Sequence, residues 1–185
     1  MKQFLMSTRG AVVLLGVLLV AVAAWINLRR EPSIDEPAGS PWLLETQQGA
    51  VATLEHMSDP EGRDVMRVMI AQLADPTETW HVKLVERPFV ITAGVAYIVS
   101  FRARAEEARP VGCAVGNNHE PWESLGVYHE HMVTNDWVTF ECPFTANADD
   151  SNARLFFDLG KSDTWVELTQ VVVRDETNDR VLTPT

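Results

Sequence analysis

Hydrophobic residues recur at every second position through most of the chain beyond residue 60. In RDVMRVMIA, Met66, Val68 and Ile70 alternate with Val65, Arg67 and Met69. In WHVKLV, Trp80, Val82 and Leu84 alternate with His81, Lys83 and Val85. In YIVSFRARA, Tyr97, Val99, Phe101 and Ala103 share one face, and Ile98, Ser100, Arg102 and Arg104 the other. Val111, Cys113 and Val115 form a further set, as do Val138, Phe140, Cys142 and Phe144. ARLFFDLG and WVELTQVVVRD are two more short β-rich runs. A period of two sends successive side chains to opposite faces of a strand. Turn residues separate the runs at Asp59-Pro60-Glu61-Gly62, Thr92-Ala93-Gly94, Asn147 to Asn152 and Gly160 to Asp163. The pattern predicts about eight to ten strands and no amphipathic helix. The expected fold class is all-β, a two-sheet antiparallel β-sandwich or jelly roll. Pro143 inside one run predicts an edge strand or a bulge.

The pattern is different at the N-terminus. Ala11 to Leu28 reads AVVLLGVLLVAVAAWINL, with Asn27 as its one polar side chain. Its length suits a short membrane-spanning helix. A basic start, an apolar core and a small-residue site around Ala21–Ala24 equally suit a secretory signal. Arg29 to Pro41, RREPSIDEPAGSP, reads as a linker. The organisation expected is an anchor or signal over 1–28, a linker over 29–41 and one folded domain over 42–185. Both readings of the first segment put that domain outside the cytoplasm. It either faces outward from the cell membrane or is secreted or periplasmic.

Charge narrows the partners. The chain has 15 basic and 26 acidic residues. From Glu31 onward, 11 basic residues stand against all 26 acids, a balance of −15. That surface repels phosphate backbones, which excludes nucleic-acid binding as a leading function. The two cysteines, Cys113 and Cys142, both fall on apolar strand faces. In an exported domain they are a candidate disulfide, the other reading being two small buried hydrophobes.

The densest chemistry lies in NNHEPWESLGVYHEHM, Asn117 to Met132, which holds three of the five histidines. His129 and His131 share a strand face and, with His119, suggest a metal-dependent enzyme as a third-ranked reading. No further glutamate or histidine follows at the spacing such centres use. Glu120, Glu123 and Glu130 are candidate glycosidase acids only by abundance. No G-x-S-x-G, P-loop or C-x-x-C motif is present.

In order, WLLETQQGAVATLEH, TWHVKL, ITAGVAYIVSFRARAE, PVGCAVG, PWESLG, WVTFECPFTA, ARLFFDLG and VELTQVVV make the chain resemble the CenC-type carbohydrate-binding modules of bacterial cellulases and xylanases. The most specific block is Gly94 to Ala105. The resemblance implies a jelly roll with a glycan cleft and no catalytic function of its own. Sugar faces stack on aromatic rings, and their hydroxyls need a few polar partners. The candidates for such a cleft are Trp80, Lys83, Arg102, Arg104, Asn117, His119, Trp122, Tyr128 and His129. Trp122, in a loop after Pro121, is the strongest aromatic candidate. Trp42, Trp137 and Trp165 start strands and read as core or sandwich-end plugs. The family often holds a structural calcium. Thr169 stands where its last-strand Asp is expected, which leaves Glu45 and Glu167 as substitute ligands. The leading expectation is noncatalytic glycan or polysaccharide binding. The alternative is a protein-interaction domain on the same fold with a vestigial cleft.

Overall fold

The computed structural model describes residues 41–73 and 78–182. The segment at 11–28 and the linker to residue 40 lie outside the described residues. Among the described residues no helix is long and apolar enough to cross a membrane.

The strands are β1 (Trp42–Thr46), β2 (Val51–Ser58), β3 (Asp64–Gln72), β4 (Val82–Ile91), β5 (Ala96–Ala105) and β6 (Arg109–Asn117). They continue as β7 (Ser124–Val133), β8 (Val138–Thr145), β9 (Asp150–Asp158), β10 (Val166–Asp175) and the two-residue β11 (Arg180–Val181). Five form a first sheet in the order β1-β4-β9-β6-β7. The second has the order β2-β3-β10-β5-β8, with β11 on β10. All pairings are antiparallel. This is the predicted sandwich.

The alternating runs fill the space between the sheets. Met66, Val68 and Ile70 of β3 face Val99, Phe101 and Ala103 of β5 and Val166 and Leu168 of β10 in one core. From the other sheet come Val82 and Leu84 of β4, Val111, Cys113 and Val115 of β6, and Leu155 and Phe157 of β9. Phe157 joins the layers: its ring stacks on Trp42 at 6.0 Å and meets Phe101 edge-on at 4.8 Å. Burying a side chain of this size stabilises the fold by about 1.5–3 kcal/mol. Pro143 lies on β8, the edge strand its missing N–H predicts.

Some expectations shift. Asp150 and Asn152 belong to β9, not to the preceding turn, because the strand already pairs with β4 at Asp150, opposite Ile91. Trp80 does not continue the alternation of β4. It sits in a 3-10 turn at Thr79–His81 and stays 37% exposed. Trp42 is core, as expected, but Trp137 and Trp165 are not plugs. They lie on the outer face of the second sheet, over guanidinium groups. Arg104 is 4.9 Å from the Trp137 ring centre and 5.8 Å from that of Trp165, and Arg102 is 5.6 Å from Trp137.

Beneath those rings lies Glu167, fully buried. It accepts Arg104 Nε at 2.5 Å and Arg67 Nε at 2.8 Å. Such a charge is tolerable because two cations share it. Arg109 plays a similar part at the sandwich end. It is 1% exposed and donates to the carbonyls of Leu159 and Thr164. It thereby ties down the β9–β10 loop.

Glu86 on β4 has no such partner. It is 2% exposed, and its Oε2 makes no hydrogen bond. Burial lifts its carboxyl from 4.5 to about 8. The folded protein therefore keeps a proton there that the unfolded chain loses near pH 4.5. Between those values the folded state binds more protons, so stability falls as pH rises, and levels off above about pH 8. Glu86→Gln keeps the neutral shape and removes the titration. In denaturant unfolding at several pH values, the variant should match wild type near pH 5 and exceed it by about 2–4 kcal/mol near pH 8.

Candidate functional site

The outer face of the first sheet carries the candidate site. Along β9, Ala153, Leu155 and Phe157 point into the core, so Asn152, Arg154, Phe156 and Asp158 point out. On one side β4 presents Lys83 and Val85 opposite Asp158 and Phe156. On the other, β6 presents Gly112, Ala114 and Gly116 opposite Asp158, Phe156 and Arg154. Beyond β6, Tyr128 of β7 stands opposite Ala114.

These side chains form a ladder of rings and cations. The Arg154 guanidinium lies between two aromatic faces, 4.9 Å from the Trp122 ring centre and 5.1 Å from that of Phe156. Lys83 Nζ stands 4.3 Å from the Phe156 ring centre and 3.6 Å from Asp158 Oδ1. Each such ring–cation contact contributes about 0.5–2 kcal/mol. Arg154 also reaches Glu45 at 3.4 Å. Burial raises the Asp158 carboxyl above its ordinary value, although Lys83 opposes this. Thr79 donates to Asp158 at 3.4 Å, so the turn carrying Trp80 borders this end of the ladder. The Trp80 indole N–H donates to Glu78 at 2.7 Å.

The floor is low because β6 is nearly free of outward side chains. A Cβ on Gly112 would stand 2.8 Å from the Tyr128 hydroxyl and 3.1 Å from Asp158 Cβ. The phenol ring thus occupies the space over Gly112. On Gly116 a Cβ would meet the Glu123 carbonyl at 2.8 Å and the Phe156 ring at 3.4 Å.

Trp122 is held at one end by a polar knot. Asn117 Nδ2 donates to Asp150 at 2.5 Å, and Asn117 Oδ1 accepts the Glu123 N–H at 3.2 Å. Asn118 pairs with Asn152 at 3.2 Å. His119 lies 3.3 Å from Asp150 and 2.7 Å from the Glu120 carbonyl. Those two contacts raise the His119 pKa. Burial opposes ionisation of Asp150, but Asn117, the Asn152 N–H and His119 outweigh it and hold the carboxyl below its usual value. Within this loop Trp122 adopts a φ of +61° and is 55% exposed. A left-handed conformation for a bulky residue costs about 1–3 kcal/mol and persists only where its surroundings enforce it.

The structure sorts the sequence candidates. Lys83, Trp122 and Tyr128 come together on this face, with Trp80 at its border. Asn117 and His119 hold the loop beneath Trp122. Arg102 and Arg104 lie on the second sheet, so they do not meet the others. His129 has the opposite parity to Tyr128 and joins His131 and Cys142, so His119 is not part of a histidine cluster. Glu45 and Glu167 occupy outer faces of different sheets and each engages arginine, so they do not make one calcium site. Cys113 and Cys142 are both fully buried and meet between the sheets as free thiols. Arg154, Phe156 and Asp158 were not among the candidates. Their signal was present: in ARLFFDLG two adjacent Phe residues cannot both face the core.

A family model described as a carbohydrate binding domain matches residues 27–164. The chain belongs to this carbohydrate-binding family, whose CenC-type modules are noncatalytic. A solved CBM4 structure aligns at 25% identity and a TM-score of 0.65, over 80% of this chain and 96% of that one. The N-terminal cellulose-binding domain of Cellulomonas fimi β-1,4-glucanase C aligns at 21% identity and 0.56, over 77% and 92%. The second such domain of that enzyme aligns at 24% identity and 0.52, over 83% and 92%. No curated protein matches the chain.

Gly112→Ala should push the Tyr128 ring off the floor and cost about 1–3 kcal/mol of stability, as overpacking does. In a double-mutant cycle, Tyr128→Ala should remove most of that cost, read by denaturant unfolding.

Proposed function

We propose that the outer face of the first sheet binds a polysaccharide chain, with Trp122, Phe156 and Tyr128 as stacking surfaces. The observation that carries this reading is the Trp122–Arg154–Phe156–Lys83 ladder on the outer face of one sheet of a carbohydrate-binding domain. Cations fixed between rings hold the aromatic faces in place before ligand arrives, which lowers the ordering cost of binding. Lys83 and Arg154 supply donors for sugar hydroxyls, and Asp158 and Glu45 supply acceptors. The −15 balance beyond residue 30 favours a neutral glycan over a polyanionic one.

The apolar run at 11–28 supports export, with the domain acting outside the cytoplasm and tethered when that run is retained. A retained apolar run would then tether the domain to the cell surface.

Two measurements test these readings. On polysaccharide affinity gels the full chain should be retarded by at least one neutral glucan or xylan. Trp122→Ala and Phe156→Ala should each weaken binding by about 1–3 kcal/mol. Arg104→Ala, on the other sheet, should leave affinity unchanged. Absence of retardation on every neutral and acidic polysaccharide tried would overturn the reading. For export, a reporter active only outside the cytoplasm, fused after residue 185, should be active with residues 1–30 present and silent once they are removed.

A further inference from the structure

The seam between β7 and β8, the edge strands of the two sheets, gathers a second kind of chemistry. His129 and His131 lie two apart on β7, on the face opposite Tyr128. Cys142 of β8 lies across from them. One ligand atom from each of His129, His131 and Cys142 falls within 4.8 Å of the others. His131 Nε2 already contacts Cys142 Sγ at 3.1 Å. A second sulfur adjoins: Cys113 of β6 shares a hydrogen bond with Cys142. The two cysteines are unbridged.

We propose that His129, His131 and Cys142, with Cys113 as the adjoining second sulfur, form a site for a zinc-class transition-metal ion. Two imidazoles and a thiolate are the donor set that borderline metals prefer over calcium or magnesium. With zinc–nitrogen bonds of about 2.0–2.1 Å and zinc–sulfur bonds of about 2.3 Å, tetrahedral ligand atoms stand about 3.3–3.8 Å apart. The donors need to close by about an ångström, and His129, exposed on an edge strand, is free to do so. The rest of the site is rigid. His131 packs against Phe140 at 4.9 Å and edge-on to Phe101 at 5.7 Å, so its ring direction is set by the core. Cys142 is fully buried, which keeps competing water from its sulfur. The exposed His129 marks the entry path. Binding replaces the Cys142 thiol proton with the metal and releases that proton to solvent. If Cys113 also ligates, a second proton is released.

This site is separate from the ladder: it lies on the inner side of β7. It bridges β7 of one sheet and β8 of the other. A bound ion would therefore act as a clasp and raise stability through mass action.

The test uses the full chain, reduced and stripped with chelator. Titration with Co²⁺ should give a sulfur-to-cobalt charge-transfer band and tetrahedral d–d bands, saturating near one ion per chain. Zn²⁺ should displace the cobalt and raise the melting temperature. Cys142→Ser and His131→Gln should lose the charge-transfer band or weaken binding by more than the roughly 10–100-fold typical of an outer-shell change. His56→Gln, on β2, should titrate as wild type. His129→Gln alters an exposed side chain and provides the reading should either buried variant misfold. Absence of the charge-transfer band in the reduced wild type would overturn the proposal. So would equal cobalt affinity in wild type and His129→Gln, or thiols that remain paired as a disulfide under reduction in the folded protein.

Discussion

Strand β9 hydrogen-bonds to β4 on one side and β6 on the other, and a one-residue slip in either ladder would exchange its two faces. Arg154 and Asp158 would then enter the core, at a cost of several kcal/mol for each unpaired charge. Leu155 and Phe157 would enter water. The register is therefore enforced by burial, and the exterior follows from it. Because Phe157 must reach Trp42 and Phe101, Phe156 must face outward, and Arg154 and Lys83 then find its ring. The groove is the reverse side of the core.

The two outer faces solve the problem of charge differently. On the second sheet, Glu167 is shared by Arg67 and Arg104 and covered by Trp137 and Trp165, so its polar groups are satisfied internally. On the first sheet the ion contacts are longer: Lys83 approaches Asp158 only at 3.6 Å and Arg154 reaches Glu45 at 3.4 Å. The first face retains hydrogen-bonding capacity that the second has spent. That difference supports the proposed binding role of the first face more directly than the mere presence of aromatic residues does.

Period-two alternation made the sandwich legible in the sequence, because a strand with one buried face leaves that signature whatever its partners are. It identified the buried faces of β3, β5 and β6 and the core direction of both cysteines. It failed at Trp80, where a 3-10 turn released the side chain from the pattern just before β4 begins. It could not say which sheet an outward residue belonged to, so Arg104 and Lys83 looked equivalent. Pairing order is set by contacts between distant segments, and a local pattern does not contain them. For the same reason the meeting of His131 with Cys142 was invisible, although Cys142 was assigned to its correct face.

Outward positions of β6 include Gly112, Ala114 and Gly116, which between them carry a single methyl group, so the shape of the floor is left to neighbouring strands. Tyr128 and Phe156 lean into that space from either side. None of the three small residues belongs to the inward-facing set that fills the core, so a larger side chain at any of them would reshape this surface by displacing its neighbours on β7 and β9 and leave the interior layer in place. A lineage could thus explore new ligands through one strand while the stabilising interior stays constant. The sandwich is in this sense a scaffold whose recognition surface is adjustable at its thinnest layer.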